Sequence, residues 1–187
     1  MKKLVIIMFA FMATMSIKAQ IVKDLEYPKG HFGIRGAFTL NKASGVVDED
    51  YYDDDEDSKA FPYASLGLAA DFKISSIPLY LETGLYYVNN GHKTYYDEKS
   101  DDHSVKMPLL MSYHLYLNDN MAIQPFVGPY VGYGFDQERA DAGIRAGLGW
   151  NLGRLYANVG YDFGFEIDGY KNNTFFATVG FNFVGKY

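Results

Sequence analysis

Apolar side chains recur at every second position in eight successive segments of the chain, the period of a strand whose two faces meet different surroundings. From His31 to Leu40, Phe32, Ile34, Gly36, Phe38 and Leu40 alternate with Gly33, Arg35, Ala37 and Thr39. From Phe61 to Lys73, Ala64, Leu66, Leu68, Ala70 and Phe72 alternate with Tyr63, Ser65, Gly67, Ala69, Asp71 and Lys73. The alternation continues through Leu79–Val88, Ser104–Leu117, Ile123–Tyr133, Gly143–Trp150, Arg154–Phe163 and Thr174–Phe183. One face of each segment is almost free of charge.

The links between segments alternate in length. Ser75–Pro78, Asn118–Asn120 and Asn151–Gly153 are short and turn-like. Asn41–Ala60, Asn89–His103, Phe135–Asp141 and Gly164–Asn173 are longer and more polar. An even number of strands, with short turns on one rim and long loops on the other, predicts an all-β fold: an eight-stranded antiparallel up-and-down transmembrane β-barrel. With the N-terminus in the periplasm, the long loops lie outside the cell.

A barrel with alternating faces could instead be a secreted soluble cup that binds a ligand on an apolar inner face. Charge and aromatic placement favour the membrane barrel. The polar faces carry Arg35, Glu82, Lys106, Arg145, Arg154 and Asp162 among many glycines, which suits a crowded interior. An eight-stranded barrel is only wide enough inside for side chains, so these charges are expected to pair in a polar network, Glu82 and Asp162 with the four cations. On the apolar faces, Phe32, Phe72, Trp150 and Phe183 stand at the turn ends, and Phe38, Tyr87, Tyr133, Phe163 and Phe175 at the loop ends. Two aromatic rings are what the two membrane interfaces select.

Composition supports strands: 17 Tyr, 14 Phe and 19 Gly are spread along the chain, and aromatics suit a pleated surface. The slightly negative mean hydropathy of -0.17 does not argue against a membrane, because half of every barrel strand is polar. The first residues have two lysines, an apolar run from Leu4 to Met15 and Ile17-Lys18-Ala19, the layout of a signal peptide cut after Ala19. The domain reading is therefore a signal peptide over 1–19 and one barrel domain over 20–187. The absence of cysteine excludes disulfides. The net charge of -6 argues against nucleic acid as a partner.

Several stretches resemble the PorT-like outer-membrane β-barrel domain common in Bacteroidetes: YLETGLYYVNNG, VKMPLLMSYHL with Pro108, PFVGPYVGYG, AGIRAGLGW and ATVGFNF. The resemblance implies an eight-stranded barrel in the outer membrane, with outer membrane lipid and lipopolysaccharide around it. It also implies a C-terminal strand, with Phe181 and Phe183, that the barrel-assembly machinery reads. The tail from Val184 to Tyr187 departs from the family's terminal aromatic.

Among candidate sites, the acidic stretch Asp48, Glu49, Asp50, Asp53, Asp54, Asp55, Glu56 and Asp57 is the strongest anomaly. It reads as a solvated external loop, with weak divalent-cation binding as the alternative; the spaced ligands and glycine of an EF-hand loop are missing. His31, His92, His103 and His114 lack ligand spacing for a transition metal. Ser104, His103 and Asp101 or Asp102 are neighbours in sequence, whereas a triad converges in space. The glycines from Gly128 to Gly134 lie in a strand and cannot form a nucleotide loop. No catalytic residue and no cofactor is expected. The reading is a non-enzymatic integral outer membrane scaffold whose loops make external contacts, with an accessory part in secretion or envelope assembly, and hence an envelope protein partner, as the alternative.

Overall fold

The computed structural model describes residues 28–45, 61–89, 92–93, 99–100, 103–136, 138–167 and 170–184. The proposed signal peptide and the acidic stretch Asp48–Asp57 lie outside these residues. The barrel strands are β1 (Gly30–Gly45), β2 (Phe61–Lys73), β3 (Leu79–Asn89), β6 (His103–Tyr113) continued by β7 (Leu115–Asn118), β8 (Met121–Gly134), β9 (Arg139–Leu152), β10 (Leu155–Gly164) and β11 (Tyr170–Val184). A two-residue ribbon, β4 (His92–Lys93) with β5 (Lys99–Ser100), stands in the link from β3 to β6. No helix among the described residues is long and apolar enough to cross a membrane, which says nothing of crossing by strands.

The sheet order runs β6-β3-β2-β1-β11-β10-β9-β8, and the further pairing of β6 with β8 closes it into an eight-stranded antiparallel barrel. First and last strands meet along β1 and β11, from Phe32 beside Val184 to Gly45 beside Tyr170. Closure leaves no open edge, so backbone N–H and C=O groups are paired around the wall. At the turn rim, Asn120 N–H donates to the side-chain Oδ1 of Asn118 at 2.9 Å. Gly153 takes a φ of 59°, the left-handed region where a missing Cβ removes the clash.

Strands run further than the periodicity alone indicates. β1 reaches Gly45, β9 begins at Arg139 and β11 at Tyr170. The links Phe135–Asp141 and Gly164–Asn173 therefore yield residues to the strands at their ends, because cross-strand pairing recruits polar flanks that have no apolar partner to mark them.

The strand ladder is interrupted around Pro108. Pairing of β3 with β6 is registered at Thr83↔Leu109 and again at Tyr86↔Lys106, and that of β6 with β8 at Pro108↔Tyr130 and again at Met111↔Val127. Proline offers no N–H to a ladder. Thr83 Oγ1 donates to the Pro108 carbonyl at 2.9 Å, supplying a donor there. At His114 the strand breaks between β6 and β7, and His114 N–H bonds Pro78 O at 2.9 Å instead.

The polarity is inside out. Outward positions are apolar and exposed, with Leu66 and Leu85 at 58% and Val179 at 68%. Inward positions are polar and buried, including His31, Arg35, Asp71, Glu82, Lys106, Gln124 and Asp162. This arrangement overturns the alternative of a soluble cup, whose apolar face would point inward.

Candidate functional site

Glycines on the inner face make room for large side chains on the next strands. Along one cross-strand row Phe126, Gly147, Gly160 and Phe176 stand side by side on β8, β9, β10 and β11. A Cβ on Gly147 would lie 2.4 Å from Phe126 Cζ, and one on Gly160 would lie 2.4 Å from Phe176 Cζ. The two rings fold over the glycines and stack at 6.4 Å, forming with Leu110 an apolar waist inside the barrel.

On the loop side of this waist lies an ion cluster. Arg145 on β9 and Asp162 on β10 are direct cross-strand partners, and the guanidinium grips the carboxylate with two bonds, Nε to Oδ1 at 2.7 Å and Nη2 to Oδ2 at 2.8 Å. Such two-pronged pairs are the strong form of ionic hydrogen bond. Lys106 reaches from β6 along the inner wall over Gly132, its partner on β8, with Nζ 2.9 Å from Asp141 and 3.7 Å from Asp162. Tyr130 donates its hydroxyl to Asp141 at 3.2 Å. Aromatic faces complete the cage: Arg145 sits 4.4 Å over the Phe176 ring and Lys106 4.9 Å over Tyr130. A cavity of about 20 Å³ beside the cluster, with Thr39, Ser65 and Thr174 in its wall, has room for about one water.

On the turn side the filling is rings. His31 Nδ1 lies 2.8 Å from both oxygens of Asp71, and Asp71 also accepts the His31 backbone N–H at 3.0 Å. Tyr80 and His114 stack face to face at 3.7 Å, and His31 stacks on both at about 6 Å, 6.3 Å from Tyr80 and 6.1 Å from His114. His114 contacts Ser112 through Nε2 at 3.2 Å and Gln124 through Nδ1 at 3.3 Å. The Tyr80 hydroxyl donates to Pro28 O at 2.8 Å and lies 3.0 Å from that of Tyr116, which ties the chain's approach to β1 into the barrel mouth.

Between the two ends, Arg35 donates to Asn182 Oδ1 at 2.6 Å and lies 4.1 Å over the Tyr156 ring. Asn182 passes a bond to Asn151 Oδ1 at 3.3 Å.

Of the six charges read from sequence as an interior network, Arg35, Glu82, Lys106, Arg145 and Asp162 lie inside the barrel. Arg154 does not: it sits exposed in the turn between β9 and β10, because the strand pairing stops at Leu155. The expected pairing of Glu82 with a cation is also revised. Among the described residues Glu82 makes no ion pair; its contact is the Tyr156 hydroxyl at 3.5 Å, and its cross-strand neighbour is Asp71. His31, Asp71 and Asp141 join the interior. His31, with Gly33 and Arg35, and Asp71 share the parity of the polar faces, whereas Asp141 lies in a polar stretch that reads as a loop and belongs to β9.

All nine aromatics assigned to the interfaces point outward: Phe32, Phe38, Phe72, Tyr87, Tyr133, Phe163, Phe175 and Phe183 are exposed, and Trp150 is half-buried. Ser104 and His103 diverge: Ser104 points inward and bonds Val88 O at 3.2 Å, while His103 stacks on the exposed Tyr87. Asp101 and Asp102 lie outside the described residues, as do the side chain of His92 and the acidic candidates Asp48, Glu49, Asp50, Asp53, Asp54, Asp55, Glu56 and Asp57. Among the described residues no three metal-ligating side chains converge.

A closed eight-stranded barrel with an apolar exterior and a polar, side-chain-filled interior is the architecture of the small outer membrane β-barrels. Solved structures agree on the fold. The outer membrane protein OprG from Pseudomonas aeruginosa superposes with a TM-score of 0.57 at 15% identity, over 86% of this chain and 97% of that one. Neisserial surface protein A (TM-score 0.48, 11% identity, 81% and 97% covered) and Ail, the attachment invasion locus protein of Yersinia pestis (0.45, 13%, 85% and 100%), are also similar. No protein-family model matches the sequence, and neither does any curated protein.

Proposed function

We propose that this chain is an integral outer membrane protein that acts without enzymatic chemistry, as a rigid scaffold presenting loops outside the cell. The observation that carries the reading is the inside-out polarity: apolar side chains such as Leu66, Leu85 and Val179 are exposed on the wall while Lys106, Arg145 and Asp162 are buried within it. In water that exterior is a contiguous apolar surface far larger than a soluble monomer tolerates; in a bilayer it is the solvated state. The interior is filled by paired ions and stacked rings, which suits a stave-like support. The stretches that resemble PorT-like barrels support the same location and a role beside an envelope protein partner. Delivery rests on the leader over 1–19 and on recognition of Phe181 and Phe183 by the barrel-assembly machinery. Lipopolysaccharide and phospholipid are the surrounding partners, and Asp48, Glu49, Asp50, Asp53, Asp54, Asp55, Glu56 and Asp57 read as a solvated external stretch, with weak divalent-cation binding as the alternative.

Fractionation of expressing cells, with gel mobility of the extracted protein before and after boiling, tests this. Outer membrane location with a heat-dependent band shift is expected; a periplasmic protein without the shift would refute it.

A further inference from the structure

The outer wall formed by β1, β2, β3 and β6 is not evenly covered. It carries a furrow of about 300 Å³ lined by Ile34, Leu66, Leu68, Leu85, Tyr87 and Val105, at the lower end of the ~300–1,000 Å³ typical of small-molecule sites. Register explains its shape. Ile34, Leu68 and Leu85 form one cross-strand row, and Leu66, Tyr87 and Val105 the next row toward the loops. Gly36 is Leu66's partner on β1, and a Cβ there would meet nothing within 4 Å, so the wall beside the furrow is open where a side chain would have closed it.

The loop-side end has a different chemistry. Tyr87, which lines the furrow, places its hydroxyl 2.8 Å from His103 Nδ1, and the two rings stack at 5.6 Å. His103 N–H donates to Asp136 Oδ2 at 2.6 Å, which fixes the pair to the rim. In the tautomer that accepts the Tyr87 hydroxyl at Nδ1, the imidazole carries its proton on Nε2, a donor for a headgroup acceptor.

We infer that this furrow seats one acyl chain of a lipid in the loop-side leaflet, with the Tyr87–His103 pair at its headgroup. The inference rests on the outer membrane reading, since only there does the furrow open onto lipid. Its carbon lining offers water no hydrogen bonds, and such spaces hold apolar groups. A flexible chain that leaves a headgroup at Tyr87 and runs down the wall past Leu66 and Leu85 matches both ends, whereas a second barrel presenting a convex wall would bridge the furrow without filling it.

The test is native mass spectrometry of the detergent-extracted, delipidated barrel titrated with dimyristoyl phosphatidylethanolamine, comparing the natural chain with Gly36→Leu and His103→Ala. Gly36→Leu places its side chain in open space at the furrow and keeps the heat-dependent gel shift. One saturable lipid adduct is expected, weakened about tenfold by Gly36→Leu and severalfold by His103→Ala. A heat-modifiable barrel with no saturable adduct, with an adduct indifferent to Gly36→Leu, or with a lipid-free two-chain mass overturns the inference and leaves the membrane reading standing. Loss of heat modifiability in the natural chain would instead overturn the membrane reading.

Discussion

The two ends of the barrel interior are both largely withdrawn from solvent and are filled by opposite means. Toward the loops, two cations and two carboxylates close on one another, with Arg145, Lys106 and Asp141 all drawn to the neighbourhood of Asp162. Toward the turns, one carboxylate holds one imidazole, and the remaining volume is taken by Tyr80, His114 and Tyr116, whose polar atoms bond neutral groups. Ion clusters are stiff only while complete, because removing one member strands a charge away from water. Stacked rings lose contact gradually. The comparison teaches that burial alone does not set vulnerability: the loop end depends on stoichiometry and the turn end on shape.

The largest effect that would break this contrast is at Asp162. Asp162→Ala leaves Arg145 without its two-pronged partner, and a loss of about 3–5 kcal/mol is expected, read from urea unfolding in lipid vesicles by the fluorescence of the single tryptophan, Trp150. If Asp162→Ala unfolds like the natural chain, the cluster does not hold the loop end. Next comes His114→Leu, which keeps an apolar body against Tyr80 but leaves Ser112 and Gln124 without their ring partner; about 1–3 kcal/mol is expected in the same titration. A loss as large as that of Asp162→Ala would erase the distinction between the ends.

A smaller effect sharpens the view of the wall. Thr83→Val keeps the shape and removes the donor to Pro108 O, for about 1 kcal/mol, with faster amide exchange in β3 and β6 as the local signature. Glu82→Gln should cost least among the interior changes. The amide oxygen can still accept from Tyr156, and a like charge opposite Asp71 disappears, so unfolding at neutral pH should match or exceed the natural midpoint. A marked drop would mean that Glu82 holds a cation in solution. Arg154→Ala, in the exposed turn, should change nothing measurable and serves as the reference.

How much of this was readable beforehand depends on which residues must meet. The alternation of Phe32, Ile34 and Phe38 with Arg35 assigns faces directly, and the structure keeps those faces. Arg145 and Asp162 lie opposite when the hairpin is folded about its Gly153 turn, so that pair was within reach of the sequence. The bond between His31 and Asp71 required the register of β1 against β2, whose link is long and fixes nothing. The approach of Lys106 to Asp141 over Gly132 required the register of β6 against β8 as well as that of β8 against β9, and the link into β6 is long. Arg154 was misplaced because parity was extended one residue past the last strand pair, and Asp141 because a polar strand end looks like a loop.

By itself, then, the sequence determined the strand number, the faces and the inside-out polarity, because successive Cβ atoms of an extended chain must point to opposite sides and the apolar ones must leave water. Tertiary structure decided the partners. Closing eight tilted strands sets a stagger between them, and the stagger chooses which rows share the lumen. It brought His31 to His114, spread Lys106 between two aspartates, put rings over Gly147 and Gly160, and left Gly36 as an open notch in the wall, none of which follows from any one strand alone.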